Sequence, residues 1–125
     1  MNELTGERER PGPQARLFHI IDPAAWASVR THYRPASLAG EGFIHLSFAG
    51  QVEGVANDRY AEATELCVLE IDQDRLDGEI KVEDSYGSGT AFPHLYGPLP
   101  ASAVVAVRAL PREDGRFTFD AGDCA

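Results

Sequence analysis

The sequence predicts an α+β fold, one compact domain of six or seven mostly antiparallel strands with two short helices. Three observations carry that expectation. At 125 residues the chain has one domain's length, since domains cluster near about 100–150 residues. Apolar runs of strand length outnumber segments with helical spacing. Asp77-Gly78 and Asp114-Gly115 are two-residue turn signals of the kind that join antiparallel strands. A chain this long buries roughly two-thirds of its unfolded surface. With 43% hydrophobic residues it needs neither a metal nor a disulfide to fold.

The elements follow in order. Residues 1–15 are expected to be a disordered tail, because Glu7, Arg8, Glu9 and Arg10 mix with Pro11, Gly12 and Pro13 and offer nothing to a core. The globular domain spans 16–119, and 120–125 form a C-terminal tail. Leu17, His19 and Ile21 alternate with Phe18 and Ile20, which suits a strand buried on both faces. Asp22-Pro23 supplies an N-cap and a first-turn proline; Trp26 and Val29 then share one helical face, and the helix ends before 31–35.

Residues 42–48 form the second strand, with Phe43, His45 and Ser47 on one face and Ile44, Leu46 and Phe48 on the other. A helix from about Gln51 places Val52, Val55, Ala56 and Tyr60 at helical spacing. Residues 66–71 are a third strand, apolar except for Glu70, and 72–76 make one helical turn. Asp77-Gly78 leads into a strand over 79–83, and Ser85, Gly87, Ser88 and Gly89 make a flexible loop. The extended run 91–96 contains Pro93, which argues for an edge strand or a bulge. Residues 104–110 are the last core strand, and Asp114-Gly115 turns the chain into 116–119.

Charge narrows the function. Eleven Lys and Arg stand against 20 Asp and Glu, a net charge of −9, and Lys81 is the only lysine. Such a field repels polyanions, so nucleic acid and an acidic membrane surface are not expected partners. No apolar run approaches the about 18 residues of a membrane span, and residues 1–14 lack the apolar core of a secretory signal. The cytoplasm is the expected location. Two cysteines make no disulfide framework: Cys67 reads as a small buried hydrophobe and Cys124 as a tail thiol.

Histidines are the chemical signal. His19, His45 and His94 each sit inside an apolar strand between large hydrophobes, whereas His32 lies in a polar segment and reads as solvated. One strand histidine is usually a satisfied core residue; three in one small domain can line a single cleft if their strands are neighbours. His45 and Ser47 point the same way about 6.6 Å apart along a strand, as do His94 and Tyr96. An imidazole beside a hydroxyl can both donate and accept hydrogen bonds to a sugar, phosphate or amide. Ser47 has a second reading as a helix cap, and Tyr96 one as a half-buried aromatic with a wet hydroxyl. Glu83 ends a strand just before the glycine-rich loop, where binding residues gather, although its alternation with Glu79 and Lys81 also fits a solvated face. Asn57 is expected to be exposed on the polar side of its helix. No dinucleotide glycine loop, phosphate loop, zinc-spaced cysteine pair or nucleophile elbow is present.

Four ordered motifs bring a resemblance. Phe18-His19-Ile20, Glu41-Gly42-Phe43-Ile44-His45-Leu46-Ser47, Leu69-Glu70-Ile71-Asp72 and Phe92-Pro93-His94-Leu95-Tyr96-Gly97-Pro98-Leu99 resemble the bacterial family called domain of unknown function 952, over about residues 16–116. That family is similar in fold to ADP-ribosyltransferase-like domains and tRNA 2′-phosphotransferases, which implies a split sheet around a cleft for NAD or a related ribonucleotide. The resemblance implies cleavage or transfer at the ribose, with His19, His45 and Glu83 catalytic and Ser47, His94 and Tyr96 binding substrate. His94 or Tyr96 can stand in the place of Glu83. Ile20 and Ile21 stand where those relatives carry Gly-Thr, and no arginine cluster is present to hold an RNA 2′-phosphate. NAD is therefore the cofactor implied, a small ribonucleotide the partner, and no metal is expected. Two further readings accompany this one: a catalytically silent small-ligand module, and a metal-dependent protein using His19, His45 and His94 as ligands.

Overall fold

The computed structural model of the chain describes residues 16–85 and 87–119. The expected tails, 1–15 and 120–125, and Cys124 with them, lie outside the described residues. The chain opens with β1 (Arg16–Ile21), α1 (Pro23–Ala27), β2 (His32–Tyr33), α2 (Ala36–Gly40), β3 (Ile44–His45) and α3 (Val52–Arg59). It continues with β4 (Cys67–Asp72), β5 (Glu79–Glu83), β6 (Phe92–Tyr96), β7 (Leu99–Pro100), β8 (Val104–Ala109), β9 (Arg112–Glu113) and β10 (Arg116–Phe117). The α+β class and antiparallel pairing are as the sequence predicts. The strand count is higher because β2, β7 and β9 are added two-residue ladders, too short for any alternation to announce, while β3 and β10 fall within the expected strands 42–48 and 116–119. α2 is likewise an addition, a single short helix after Pro35 whose Leu38 packs against the core.

Two three-stranded sheets, β1-β4-β8 and β3-β6-β5, form the frame. They meet at one point: Phe18 and Ser47 exchange both backbone hydrogen bonds, at 2.8 and 2.7 Å. From that junction the sheets diverge. Leu17, Ile21, Leu69 and Ile71 of the first sheet share one core with Ile44, Leu46 and Leu95 of the second. The opposite face of the first sheet, with Phe18, Ile20 and Val68, packs under Val52 and Ala56 of α3 and Phe117 of β10. Alternation along β1 and β4 thus feeds two cores, as expected of strands buried on both sides.

Local chemistry explains the element ends. The Asp22 carboxylate accepts from the Ala24 N–H at 2.7 Å, with Pro23 at the first helical position. Asp114 and Gly115 both have positive φ, 53° and 79°, the geometry of a tight hairpin between β9 and β10. Asp77-Gly78 acts differently. It delivers β5 to the second sheet, where β5 pairs with β6 rather than with β4. Gly78 is tucked so closely that a Cβ there would stand 2.7 Å from the Tyr96 carbonyl oxygen.

Two readings are corrected, and the one polar residue of a buried strand is explained. Pro93 is neither at an edge nor in a bulge: β6 is the middle strand of its sheet. The Pro93 carbonyl accepts from Leu46 N–H at 3.0 Å, so its nitrogen also faces the β3 side. There the two-residue ladder has already ended, and the missing donor costs little. Glu70 is the polar member of a buried strand because Arg108 bonds it at 2.8 Å and Arg16 lies 3.5 Å away. Asn57 is half-buried and clamps α3 to β10: its side-chain amide donates to the Phe117 carbonyl at 3.0 Å and accepts from the Phe117 N–H at 2.9 Å. Asn57→Ala should lower the unfolding free energy by about 1–3 kcal/mol, because it orphans Phe117 backbone groups. Urea denaturation of the two proteins measures it.

Candidate functional site

The strand period fixes which side chains meet. In the β3-β6-β5 sheet, Ile44 and Leu46 pair with Leu95 and Ile80 toward the core, so their neighbours project to the other face. That face carries Phe43, His45 and Ser47 in one row, Phe92, His94 and Tyr96 in the next, and Glu79, Lys81 and Glu83 in the third. Where the sheets part, the face opens into a cleft with about 540 Å³ of empty space counted out to its mouth. β1 contributes His19 and Ile20 to its wall, the β3 segment His45 and Ser47, and β6 Phe92 and His94. α3 supplies Val55 and Arg59, and Tyr60 follows at the rim.

Each histidine has a defined partner. His19 Nδ1 lies 2.7 Å from the His45 carbonyl oxygen. Burial lowers the His19 pKa to about 4, so the ring is neutral near pH 7. A bond to a carbonyl then requires the proton on Nδ1 and leaves Nε2 an acceptor. His45 Nε2 is 2.8 Å from Glu41 Oε1 at a solvent-exposed position. His94 Nδ1 is 3.0 Å from Glu83 Oε2, and the Tyr96 hydroxyl donates to that same oxygen. Phe43 stacks flat on His94, with ring centroids 4.0 Å apart and planes 10° from parallel.

The Glu83 cluster is electrostatically consistent. Burial pushes the Glu83 carboxyl up, but the hydrogen bonds from Tyr96 and His94 outweigh it and hold its pKa below the ordinary value. The Tyr96 hydroxyl, bonded to that carboxylate, is pushed up to about 12. Burial lowers the His94 pKa against the opposing pull of Glu83. Near neutral pH the cluster is a carboxylate receiving an imidazole N–H and a phenol O–H. Lys81 Nζ lies 4.9 Å from the Tyr96 ring centroid, over its face. Next to it, the Asp84 carboxylate accepts from the N–H groups of Ser88 and Gly89 at 2.9 and 2.8 Å and ties the glycine-rich loop back on itself.

The structure brings His19, His45, Ser47 and His94 to one cleft. Glu83 and Tyr96 are placed behind His94, on its Nδ1 side, and are not among the side chains forming the cleft wall. Ser47 caps no helix; its backbone makes the junction between the sheets. Phe43 and Phe92 were legible by alternation with His45 and His94, and Glu41 by its place in the second motif. Arg59 carries no sequence signal and Tyr60 only that of the helical spacing; the docking of α3 brings both to the rim. Among the described residues no three His, Cys, Asp or Glu side chains are grouped to hold a metal ion. The metal-dependent reading of His19, His45 and His94 therefore has no geometric support. Among the described residues, no helix is long and apolar enough to cross a membrane.

Comparison with known proteins agrees with this architecture. The crystal structure of protein CC0527 from Caulobacter crescentus is similar, with 30% identity and a TM-score of 0.72 over 82% of this chain and 93% of that one. A solution NMR structure of CC0527 gives 26% identity and a TM-score of 0.62, covering 82% of this chain and 90% of that one. No curated protein matches. The family described as "Protein of unknown function (DUF952)" matches residues 20–107. With that match spanning well over half its length, the chain belongs to the DUF952 family.

Proposed function

We propose that the cleft binds NAD or a related ribonucleotide and acts at its ribose, in the manner of an ADP-ribosyltransferase-like protein. The observation that supports this best is the convergence of His19, His45, Ser47 and His94 on one opening where two sheets diverge. Breaking the bond between a ribose and nicotinamide develops positive charge on the sugar. Oriented acceptors near its 2′-hydroxyl and C1′ stabilise that charge. The acceptor Nε2 of His19 and the hydroxyl of Ser47 are suited to the ribose hydroxyls. Phe92 and Tyr60 offer aromatic faces to a planar ring, and Arg59 puts a cation at the rim of an otherwise acidic chain.

Titration calorimetry with NAD in the presence of a chelator tests this reading. Saturable binding is expected, weakened at least about tenfold in His45→Ala with an unchanged circular dichroism spectrum. The fold should survive because the His45 ring is partly exposed, and the carbonyl that holds His19 is backbone. No heat from folded protein at millimolar NAD would remove NAD as the ligand. A binding role without turnover is favoured by one observation: Ile20, an apolar residue beside His19, forms part of the cleft wall. Nicotinamide release above the buffer rate separates an enzyme from a silent binding module.

A further inference from the structure

We infer that His94 is the general base of this cleft, oriented by Glu83, and that Glu83 acts as a positioning residue rather than on the substrate itself. The inference rests on the reading that the cleft acts at a ribose, and it assigns the proton transfer within that reaction. Three imidazoles reach the cleft, and their partners differ. His19 spends Nδ1 on a backbone carbonyl, a neutral acceptor that does little to stabilise an imidazolium. His45 is paired with Glu41 where both side chains are more than a third open to water, at 35% and 40% exposure, and solvent screens that charge. His94 alone combines a nearly buried ring, 2% exposed, with a carboxylate at its back.

The geometry also fixes which nitrogen is the base. An ionised Glu83 only accepts hydrogen bonds, so His94 Nδ1 carries the proton. Nε2 is left with its lone pair on a ring that lines the cleft. Phe43 stacked on the ring and Tyr96 bonded to Glu83 lock both partners in place. A base held this way has its orientation and tautomer set before substrate arrives.

The step balances. The oxygen of a water or acceptor hydroxyl bonds to ribose C1′ while the bond from C1′ to the nicotinamide ring nitrogen breaks. The electron pair of that bond goes to the ring nitrogen, and neutral nicotinamide leaves. The hydroxyl proton passes to His94 Nε2 and then to solvent; the imidazolium formed in between is stabilised by Glu83. The charged and titratable groups about His94 are Glu83 and Lys81 on β5, His45 on β3 with Glu41 before it, and Tyr96 on β6.

Two measurements test the assignment, one of them without NAD. Nitrogen-15 NMR of the full chain at neutral pH should show the His94 ring protonated at Nδ1, and Glu83→Gln should lower its pKa. A ring protonated at Nε2 would overturn the inference whatever NAD does. With NAD, His94→Gln should lower kcat for nicotinamide release about 100-fold while calorimetric affinity changes little. In Glu83→Gln the acid limb of the kcat profile should move to lower pH, following His94. A substrate-contacting Glu83 would instead weaken NAD binding and leave that limb in place, which contradicts the inference but not the ribonucleotide reading. Absence of NAD binding in the unaltered protein would remove NAD as the ligand and, with it, this nicotinamide-releasing step. Glu83 is partly exposed, so its variant serves if His94→Gln fails to fold.

Discussion

Phe18→Ala is expected to lower the unfolding free energy by about 3–5 kcal/mol, a large share of the roughly 5–15 kcal/mol that holds a domain folded. The ring is 1% exposed and sits in the core beneath α3, packed edge-on against Phe119 with centroids 5.5 Å apart. Truncation removes that apolar burial and leaves a cavity lined by Ile20, Val52 and Val68, which the sheet backbone cannot close. The position matters twice, because the Phe18 backbone also makes the two hydrogen bonds that join the sheets at Ser47. Loosening this core should therefore loosen the cleft wall. Urea denaturation reads the stability loss, and hydrogen exchange at the Ser47 amide reads the junction. A loss below about 1 kcal/mol would show that the site relaxes around the missing ring.

Acidification from neutral pH to pH 4 is expected to remove about 3 kcal/mol of stability through His19 alone. The unfolded imidazole titrates near 6.5, whereas burial lowers the folded one to about 4. Above pH 6.5 both states are neutral and the residue contributes no slope. Below it the unfolded chain takes up a proton that the folded chain refuses, so stability falls with pH until the folded ring protonates. The window is set by the two values, and each unit between them is worth about 1.4 kcal/mol. His94, whose pKa is also lowered by burial, adds a loss of the same sign. Urea midpoints between pH 7 and 4, compared with those of His19→Leu, isolate the His19 share. A variant with the same pH slope as the parent would show that His19 protonates in place.

The sheet strands were legible because burial writes itself into alternation. Arg16–Ile21 and Cys67–Asp72 are runs that a sheet covered on both faces explains, whereas the edge strand Val104–Ala109 leaves Val105 and Val107 exposed. The added ladders β2, β7 and β9 were not legible, and neither was the middle position of β6. A proline argues locally for an edge, yet its missing donor happens to face a ladder that has already ended. Asn57 shows the same limit: nothing in a helix sequence tells that a hairpin 60 residues later will use its amide.

For the site, sequence by itself determined the actors. Three histidines within apolar strands, a serine two residues beyond one of them and a glutamate at a strand end are fixed by the chain, as is the face each occupies, because strand period is local. Only the tertiary structure decided their relations. It set His19, His45, Ser47 and His94 around one opening and placed Glu83 behind His94 rather than on the cleft wall. The physical reason is that pairing order, β3-β6-β5 beside β1-β4-β8, is chosen by how two cores fill. Contacts between strands distant in sequence, and the pKa shifts that burial produces there, exist only once that choice has been made.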